Sequence, residues 1–415
     1  MRILFLSQEY PPETGWGGIG SYLFTLAPAL AARGHQVHVL SCVEGQKASD
    51  SLDRGVHLHR RGLLERPRTL RLLHRVLRAP QTVHRIWVAL SNYYWYRQLD
   101  TVVEVVEYPD WFAEGLLLAW RRPTATVAQL HTPLVVVGKY LGHADNRDFR
   151  WACRLERSAV RRADVLSCPS RLLLNELTGS GWLRGRNPRV LPLPVDWATW
   201  RDVAPVSQTE PTVAVVGRLD MLKSPETVVR AVNALRPDFP QARAVFAGHA
   251  NGFRDGLPYD QWLRGLATYP GSCELLGPVP RRELPTVISK ARVLAAPSAY
   301  DNFPVAVLEA MASGRPVVVS ENTGLAPIIR DNQLGAVVPA GDPGALASAL
   351  QPFLSDAAYA AHVGRRAMNF ARTLLDPDVI AREREDLYAN ALANFALHGA
   401  SNAAQVGQAR SRLAF

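Results

Sequence analysis

Residues 297–323 read PSAYDNFPVAVLEAMASGRPVVVSENT, and this stretch indicates how the chain around it folds. The short apolar run 292–296 lies just before it, as expected of a buried parallel strand, and the apolar run 316–320 lies within its second half. Between the two runs, residues 305–313 predict a helix without a polar face, which ends at Gly314, a residue typical of helix C-termini. The order strand, helix, strand predicts a βαβ unit of a parallel sheet.

Glu309 is the exception in this predicted helix, because its helical neighbours are apolar or small. A buried carboxylate is costly unless it is hydrogen-bonded. Two interpretations follow: an internal arginine or backbone amide satisfies Glu309, or Glu309 binds ligand hydroxyls beside a helix N-terminus whose free amides bind an anion. Asp301 and Asn302 precede the helix and offer capping oxygens, and Pro304 suits a first helical turn.

The spacing Asp301-x7-Glu309, set in PSAYDNFPVAVLEAMASGRPVV, resembles the signature of the retaining glycosyltransferases of the GT4 family, although most members carry Glu at the position of Asp301. The likeness extends over roughly residues 1–396. It implies the GT-B fold, an α/β architecture in which two Rossmann-like doubly wound domains face a central cleft. A C-terminal helix is then expected to cross back to the first domain.

Strand and helix patterns divide the chain into two halves of similar size. MRILFLS at 1–7 starts the first βα series, and TVAVVGR at 212–218 starts the second. We expect an acceptor-binding domain at 1–200, joined by a helix at about 378–396, and a nucleotide-sugar-binding domain at 207–377. Residues 192–211 are rich in Pro and Trp and are expected to be the linker, and 397–415 a frayed tail.

The bulk composition is that of a large globular chain. It has 415 residues, of which 47% are hydrophobic and 20% charged, without an apolar run long enough to span a membrane. Four scattered cysteines without a CxxC motif favour a reducing, cytoplasmic location over a disulfide framework or a zinc site. The net charge of +10 favours an anionic partner, and with no nucleic-acid motif evident, a phosphate-bearing substrate or an anionic lipid is expected.

The resemblance assigns the chemistry of the reaction to four residues. Arg218 and Lys223 follow a predicted buried strand and match the pair that grips the donor diphosphate. Fixed cations at that point stabilise the negative charge that develops on the departing nucleotide. His131, at the end of another predicted strand, matches a histidine that contacts the donor sugar, and Asp301 is implied to meet the sugar hydroxyls. A surface location for the cations and a structural role for the histidine are the alternatives.

Further residues are expected to bind the nucleotide-sugar. The resemblance implies that Glu309 binds the ribose hydroxyls and that the backbone of Asn302, Phe303 and Val305 faces the sugar or phosphate. Gly17 and Gly18 match a loop whose amides approach the diphosphate, although a plain turn before a helix is the alternative.

The segment 15–20 also matches GxGxxG, the fingerprint of dinucleotide-binding proteins. The match is weak, because the fingerprint glycines follow a strand directly, whereas here a Pro-Pro loop intervenes. An NAD-dependent oxidoreductase is therefore one alternative to glycosyl transfer. A sugar-nucleotide-binding protein without catalysis is another.

Four residues at predicted strand ends of the first half are candidates for an acceptor pocket: Glu9, Glu107, Asp110 and Trp111. Trp111 could stack on a sugar ring, or Asp110 could cap a helix beside a half-buried Trp111. The acceptor is expected to be a saccharide, a lipid-linked molecule or a small molecule.

The segment 54–97 carries ten arginines with interleaved apolar residues. A basic amphipathic helix there could touch an anionic membrane, or a solvated helix could cover the sheet. Peripheral contact with the inner membrane face is thus a possible addition to the cytoplasmic location.

The DxD at 376–378 looks like a turn and helix cap, so no metal cofactor is expected. The leading hypothesis is a retaining transfer of a hexose from a UDP- or GDP-sugar to a hydroxyl acceptor, in polysaccharide, glycolipid or metabolite biosynthesis.

Overall fold

The computed structural model describes residues 1–65, 78–142, 145–200 and 203–412, with side chains up to residue 398. It divides into two compact units. Unit 1 contains Met1–Pro169, Leu173–Leu191 and Ile380–Phe415, and unit 2 contains Ser170–Leu172 and Pro192–Val379. Within the described residues, no helix combines the length and apolar character needed to cross a bilayer.

Unit 1 is built on an eight-stranded sheet. Its strands are β1 (Arg2–Leu6), β2 (Gln36–Val43), β3 (Ser49–Asp53), β4 (Val56–Gly62), β5 (Val105–Pro109), β6 (Ala125–Gln129), β7 (Val165–Cys168) and β8 (Arg189–Val190). Their order is β3-β4-β2-β1-β5-β6-β7-β8, and all neighbours are parallel except β3 and β4. The chain starts at β1, adds strands on one side and then on the other, so the order reverses between β1 and β5.

The helices of unit 1 surround a buried sheet centre, where Ile3 pairs with both Val37 and Val105. They are α1 (Gly18–Ala32), α2 (Pro80–Arg97), α3 (Leu116–Arg121), α4 (Leu134–Leu141), α5 (Arg147–Arg162) and α6 (Arg171–Gly179), with a 3-10 turn at Trp111–Ala113. The last helix of the chain, α15 (Pro377–Arg412), joins this unit from Ile380 onward.

Unit 2 contains a six-stranded parallel sheet in the order β13-β10-β9-β14-β15-β16, plus the small hairpin β11-β12. The strands are β9 (Thr212–Val216), β10 (Arg243–Ala247), β11 (Phe253–Arg254), β12 (Leu257–Pro258), β13 (Cys273–Gly277), β14 (Val293–Ala296), β15 (Val317–Ser320) and β16 (Gly335–Val338). Leaving out the hairpin, this is the 3-2-1-4-5-6 order of dinucleotide-binding folds, in which ligands bind where the order reverses. That point lies between β9 and β14.

Helices alternate with these strands, as the sequence predicts for a doubly wound fold. They are α7 (Trp197–Trp200), α8 (Pro225–Leu235), α9 (Tyr259–Leu266), α10 (Leu284–Ser289), α11 (Val305–Ala312), α12 (Ala326–Asp331), α13 (Pro343–Ser355) and α14 (Ala357–Leu374), with 3-10 turns at Val206–Gln208 and Arg281–Glu283. The βαβ unit predicted from residues 292–320 is confirmed as β14, α11 and β15.

Several boundaries differ from the sequence expectations. Residues 54–62 are not helical: Val56–Gly62 form β4 of a hairpin, in which Val56, Leu58 and Arg60 alternate inward along one strand face. Short helical turns occupy part of the expected linker. The helical bounds of α15 extend to Arg412, where a frayed tail was expected from 397.

Candidate functional site

The switch point of unit 2 brings Lys223 and Asp301 together. Lys223 follows β9 and Asp301 follows β14, and the carboxyl ends of these neighbouring parallel strands lie at one edge of the sheet. The Lys223 Nζ donates a short hydrogen bond to Asp301 Oδ2, and both side chains are largely buried. The sequence predicted each residue separately, and the fold makes them an ion pair 78 residues apart in the chain.

Asp220 connects this pair to Arg218. Its Oδ1 accepts hydrogen bonds from the amides of Leu222 and Lys223, both at 3.1 Å, which fixes the loop that carries the lysine. Its Oδ2 lies 3.4 Å from the guanidinium of Arg218, whose side chain is 58% exposed. Arg218 can therefore reach an incoming anion without breaking a buried contact. Asp220 was missed from the sequence because a short carboxylate in a loop carries no distinctive signal.

Glu309 is buried on α11, as predicted, and Arg281 is its partner. The Arg281 Nη1 donates a short hydrogen bond to Glu309 Oε1. Burial raises the pKa of Glu309, while the charge of Arg281 opposes that rise. The internal-arginine interpretation thus holds for the structure described, and ribose binding by Glu309 stays a prediction.

The segment 301–305 is held by its backbone rather than by side-chain capping. Pro304 occupies the cap position of α11 and makes no side-chain cap bond, while the carboxylate of Asp301 bonds to Lys223. The amide of Asp301 donates to the carbonyl of Asn322 at 3.1 Å. The hydroxyl of Ser170 donates to Asn302 Oδ1 at 2.6 Å. Phe303 is buried and Val305 half-buried, so any contact of these residues with a ligand would be through backbone atoms.

The glycine loop of unit 1 closes on Glu9. The amide of Gly20, in the first turn of α1, donates to Glu9 Oε2 at 2.9 Å. A Cβ at Gly17 would lie 2.3 Å from that same oxygen, so a larger residue there would have to displace the Glu9 carboxylate, whereas Gly18 has open space. The Glu9 carboxylate thus already lies at the N-terminus of α1, where the sequence led us to expect the donor diphosphate.

Glu107 lies in the interior of unit 1, on the wall of a cavity of only about 10 Å³, and its role in binding an acceptor stays a prediction. It is buried on β5, where its two oxygens accept hydrogen bonds from the hydroxyls of Tyr22 at 2.6 Å and Tyr388 at 2.8 Å. The guanidinium of Arg384, fully buried on α15, lies 3.5 Å from Glu107. The structure gives Glu107 an interior role in attaching α15 to unit 1, because its charge is matched there rather than in solvent.

Asp110 and His131 lie next to each other in unit 1. The amide of His131 donates to Asp110 Oδ1 at 3.0 Å, and Asp110 does not cap the 3-10 turn that follows it. Burial raises the pKa of Asp110 to about 8. Burial, with the nearby charge of Arg384, lowers the pKa of His131 to about 3, so its imidazole is neutral. Asp110 is fully buried, which disfavours the predicted direct contact with an acceptor.

Trp111 and Glu9 do line a common pocket of about 310 Å³ in unit 1. The pocket opens at the carboxyl ends of β1 and β5, the point where the strand order reverses. Of the four predicted acceptor residues, these two lie on its wall. Glu114, which also lines it, was not singled out from the sequence, because it lies in a helical pattern without a polar signal of its own.

The basic segment 54–97 is only partly described. Arg66, Arg68, Arg71 and Arg75 lie outside the described residues. Arg54, Arg60 and Arg61 pair with carboxylates on or near the β3–β4 hairpin, and Arg85 is buried against Glu156. These pairs reduce the positive charge available to a membrane.

The DxD motif at 376–378 forms the predicted turn, with the amide of Asp378 donating to Asp376 Oδ1 at 2.8 Å.

Comparison with known proteins decides between the alternatives. Residues 197–370 match the family model described as glycosyl transferases group 1, and residues 16–198 match glycosyltransferase family 4. The chain belongs to the GT4 glycosyltransferases. This membership favours glycosyl transfer over the oxidoreductase alternative, and it agrees with the Asp301 and Glu309 spacing.

Matches to individual relatives cover nearly the whole of this GT4 chain. It is 28% identical to a glycogen synthase of Mycobacterium tuberculosis over 409 residues, which cover 94% of each protein. Among solved structures, it is similar to the sucrose-phosphate synthase from Thermosynechococcus elongatus, with a TM-score of 0.75, 21% identity and coverage of 95% and 100%. It is also similar to Anabaena HepE in complex with UDP-glucose, with a TM-score of 0.67, 18% identity and coverage of 94% and 99%. The predicted GT-B fold class is thereby confirmed.

Proposed function

We propose that this GT4 enzyme transfers a hexose from a UDP- or GDP-sugar to a hydroxyl group with retention of configuration and without a metal ion. The observation that carries the proposal is the Lys223–Asp301 pair at the strand-order reversal of unit 2, with Arg218 beside it. Retention needs no carboxylate nucleophile if the departing phosphate oxygen takes the acceptor proton on the same face of the sugar.

The pair provides one group for each part of the donor. The ammonium of Lys223 and the guanidinium of Arg218 would attract the diphosphate, whose negative charge grows as the sugar bond breaks. Asp301, released from Lys223, would accept hydrogen bonds from sugar hydroxyls. The cations then gain more interaction in the transition state than in the ground state, which raises turnover.

Glu309 and His131 complete the assignment. Glu309 would accept from the ribose hydroxyls while Arg281 keeps its charge balanced in the interior. The neutral imidazole of His131 can donate or accept a hydrogen bond to a sugar hydroxyl. The named complex of HepE with UDP-glucose supports a nucleotide-sugar donor for this fold.

Replacing the lysine tests the proposal. We expect Lys223→Ala to lower kcat by about two to three orders of magnitude, because one transition-state cation is lost. Lys139→Ala is the matched control, since it also removes a lysine–carboxylate pair, the exposed contact with Glu176, and should leave kcat within about twofold. Transfer is measured as nucleotide release with UDP- and GDP-sugars chosen by thermal shift.

Equal turnover of the Lys223→Ala variant and the unmodified protein would contradict the role of the cation. Tight nucleotide binding without any sugar transfer or donor hydrolysis would instead support the non-catalytic alternative.

A further inference from the structure

The lining of the pocket of about 310 Å³ in unit 1 includes Gln8, Glu9, Glu13, Trp111, Phe112 and Glu114. Its volume is at the lower end of the range for small-molecule sites, about 300–1,000 Å³. Such a volume suits one sugar or cyclitol ring, or the end residue of a longer chain. Trp111 and Phe112 provide aromatic faces against which the apolar side of such a ring can pack.

Two residues on the wall of this pocket hold buried polar atoms that lack a partner among the described residues. One is Glu114 Oε2, on a side chain that is 3% exposed, and the other is Gln8 Nε2. The remaining oxygen of Glu114 accepts a long hydrogen bond, at 3.4 Å, from the amide of Gln8. Leaving such an atom unsatisfied is unfavourable, and a ligand hydroxyl bonded to it would remove that penalty.

The wall between the aromatic residues and Glu114 has a strained backbone. Phe112 and Ala113 both adopt left-handed conformations, with φ of 56° and 54°. For residues other than glycine this conformation is unfavourable. Trp111 and Glu114, on either side of this strained pair, both line the pocket.

The charge of the pocket is acidic. Three glutamates line it, and none of its described lining residues is a lysine, arginine or histidine. Glu13 is paired with Arg60, and Glu9 with the N-terminus of α1. Burial, increased by the charge of Glu9, raises the pKa of Glu114 to about 8, so near neutral pH its carboxyl is an O–H donor as well as an acceptor. A phosphate monoester carries nearly two negative charges and would meet no basic side chain on the described lining, since Arg60 is already paired with Glu13.

We propose that this pocket binds the acceptor as an uncharged, hydroxyl-rich ring, that Glu114 and Gln8 bind its hydroxyls, and that phosphorylated forms of the same ring are rejected. This inference rests on the proposed glycosyl transfer. A free ring and the end of a glycan share the required chemistry, so the experiment includes both.

Pairs of acceptors that differ by one phosphate group test whether the pocket rejects phosphorylated rings. With the donor selected by thermal shift, we compare glucose with glucose 6-phosphate and myo-inositol with inositol 3-phosphate, and add maltotriose for the glycan end. We expect the uncharged member of a pair, or maltotriose, to have at least a tenfold higher kcat/KM than the phosphorylated compounds. A preference for a phosphorylated compound would overturn the inference, as would the absence of transfer to every uncharged compound.

Substitutions at Glu114 test whether this residue binds the hydroxyls of the acceptor. Glu114→Gln keeps a neutral donor and acceptor and should change KM for the uncharged acceptor less than about threefold. Glu114→Leu removes both and should raise that KM at least tenfold, with little change in kcat. Glu274→Gln, at an exposed glutamate of β13, is the control. Equal KM values for the Gln and Leu variants would overturn the role of Glu114.

Nucleotide binding to the unmodified protein distinguishes a failure of the proposed glycosyl transfer from a failure of the pocket assignment. If UDP- and GDP-sugars produce no thermal shift and no donor hydrolysis, the proposed function itself fails. If the donor binds and is hydrolysed while the acceptor results go against expectation, only the pocket assignment is wrong.

Discussion

At the scale of single residues, the buried charges of this enzyme are matched by partners far away in the chain. Glu309 on α11 is satisfied by Arg281, 28 residues earlier, and Asp301 by Lys223. A buried carboxylate without such a partner would be costly, so each partner is part of the stability of unit 2. The same groups are proposed to bind the donor, which means that binding must exchange these contacts rather than add new ones.

Removing Arg281 tests how Glu309 is held. We expect Arg281→Ala to lower the free energy of unfolding by about 3–5 kcal/mol, because it leaves a buried carboxylate without its cation. Arg282→Ala, at the neighbouring exposed arginine that pairs only with Glu283, should cost less than about 1 kcal/mol. Urea unfolding measures both changes.

The double variant Arg281→Ala, Glu309→Gln gives the decisive comparison. Because the amide is neutral, we expect most of the lost stability to return. A double variant that is no more stable than Arg281→Ala would show that Arg281 acts through its own packing, for example against Trp200, 5.7 Å from the guanidinium carbon.

At the scale of elements, α15 is attached to the sheet of unit 1 by polar contacts within an apolar interior. Arg384 is fully buried between Glu107 and the Ser167 hydroxyl, to which it donates at 2.9 Å, and Tyr388 donates to Glu107. Arg33 and His35 both contact Glu385, the next residue of the helix. These contacts set the position of α15 along the sheet more sharply than apolar packing would, since hydrogen bonds require specific distances.

A double-mutant cycle measures this attachment. We expect Arg384→Met to destabilise unit 1 by about 3–5 kcal/mol, because Glu107 keeps its charge without the arginine. The double variant Arg384→Met, Glu107→Gln should recover part of that lost stability. Thermal and urea unfolding provide the values. Arg382→Met, at an exposed position of the same helix, should change stability by less than about 0.5 kcal/mol. Additive effects of the two buried substitutions would mean that Arg384 and Glu107 are not coupled.

At the scale of the whole molecule, the two units carry their candidate sites at corresponding places. Each site lies at the carboxyl ends of parallel strands where the strand order reverses, between β9 and β14 in unit 2 and between β1 and β5 in unit 1. The cationic groups of the unit 2 site, Arg218 and Lys223, suit a diphosphate. The carboxyl groups of the unit 1 pocket suit hydroxyls.

Metal removal tests the whole catalytic scheme. Since Arg218 and Lys223 are proposed to balance the charge of the leaving group, we expect dialysis against EDTA to leave at least about 80% of the transfer rate. Added magnesium or manganese should change that rate less than twofold. Loss of transfer after EDTA, with recovery on manganese, would contradict a metal-independent mechanism.

The sequence by itself determined the alternation of strands and helices, the βαβ unit around α11, the burial of Glu309 and the family. These are local properties, because strand and helix periodicity and the Asp301–Glu309 spacing are contained in short segments. Only the tertiary structure decided which groups meet: Arg281 with Glu309, Arg384 and Tyr388 with Glu107, Glu9 with the start of α1, and Glu114 with an acidic pocket. The physical reason is that the energy of a buried charge depends on neighbours brought close by folding, and Tyr388 lies 281 residues from Glu107 in the chain.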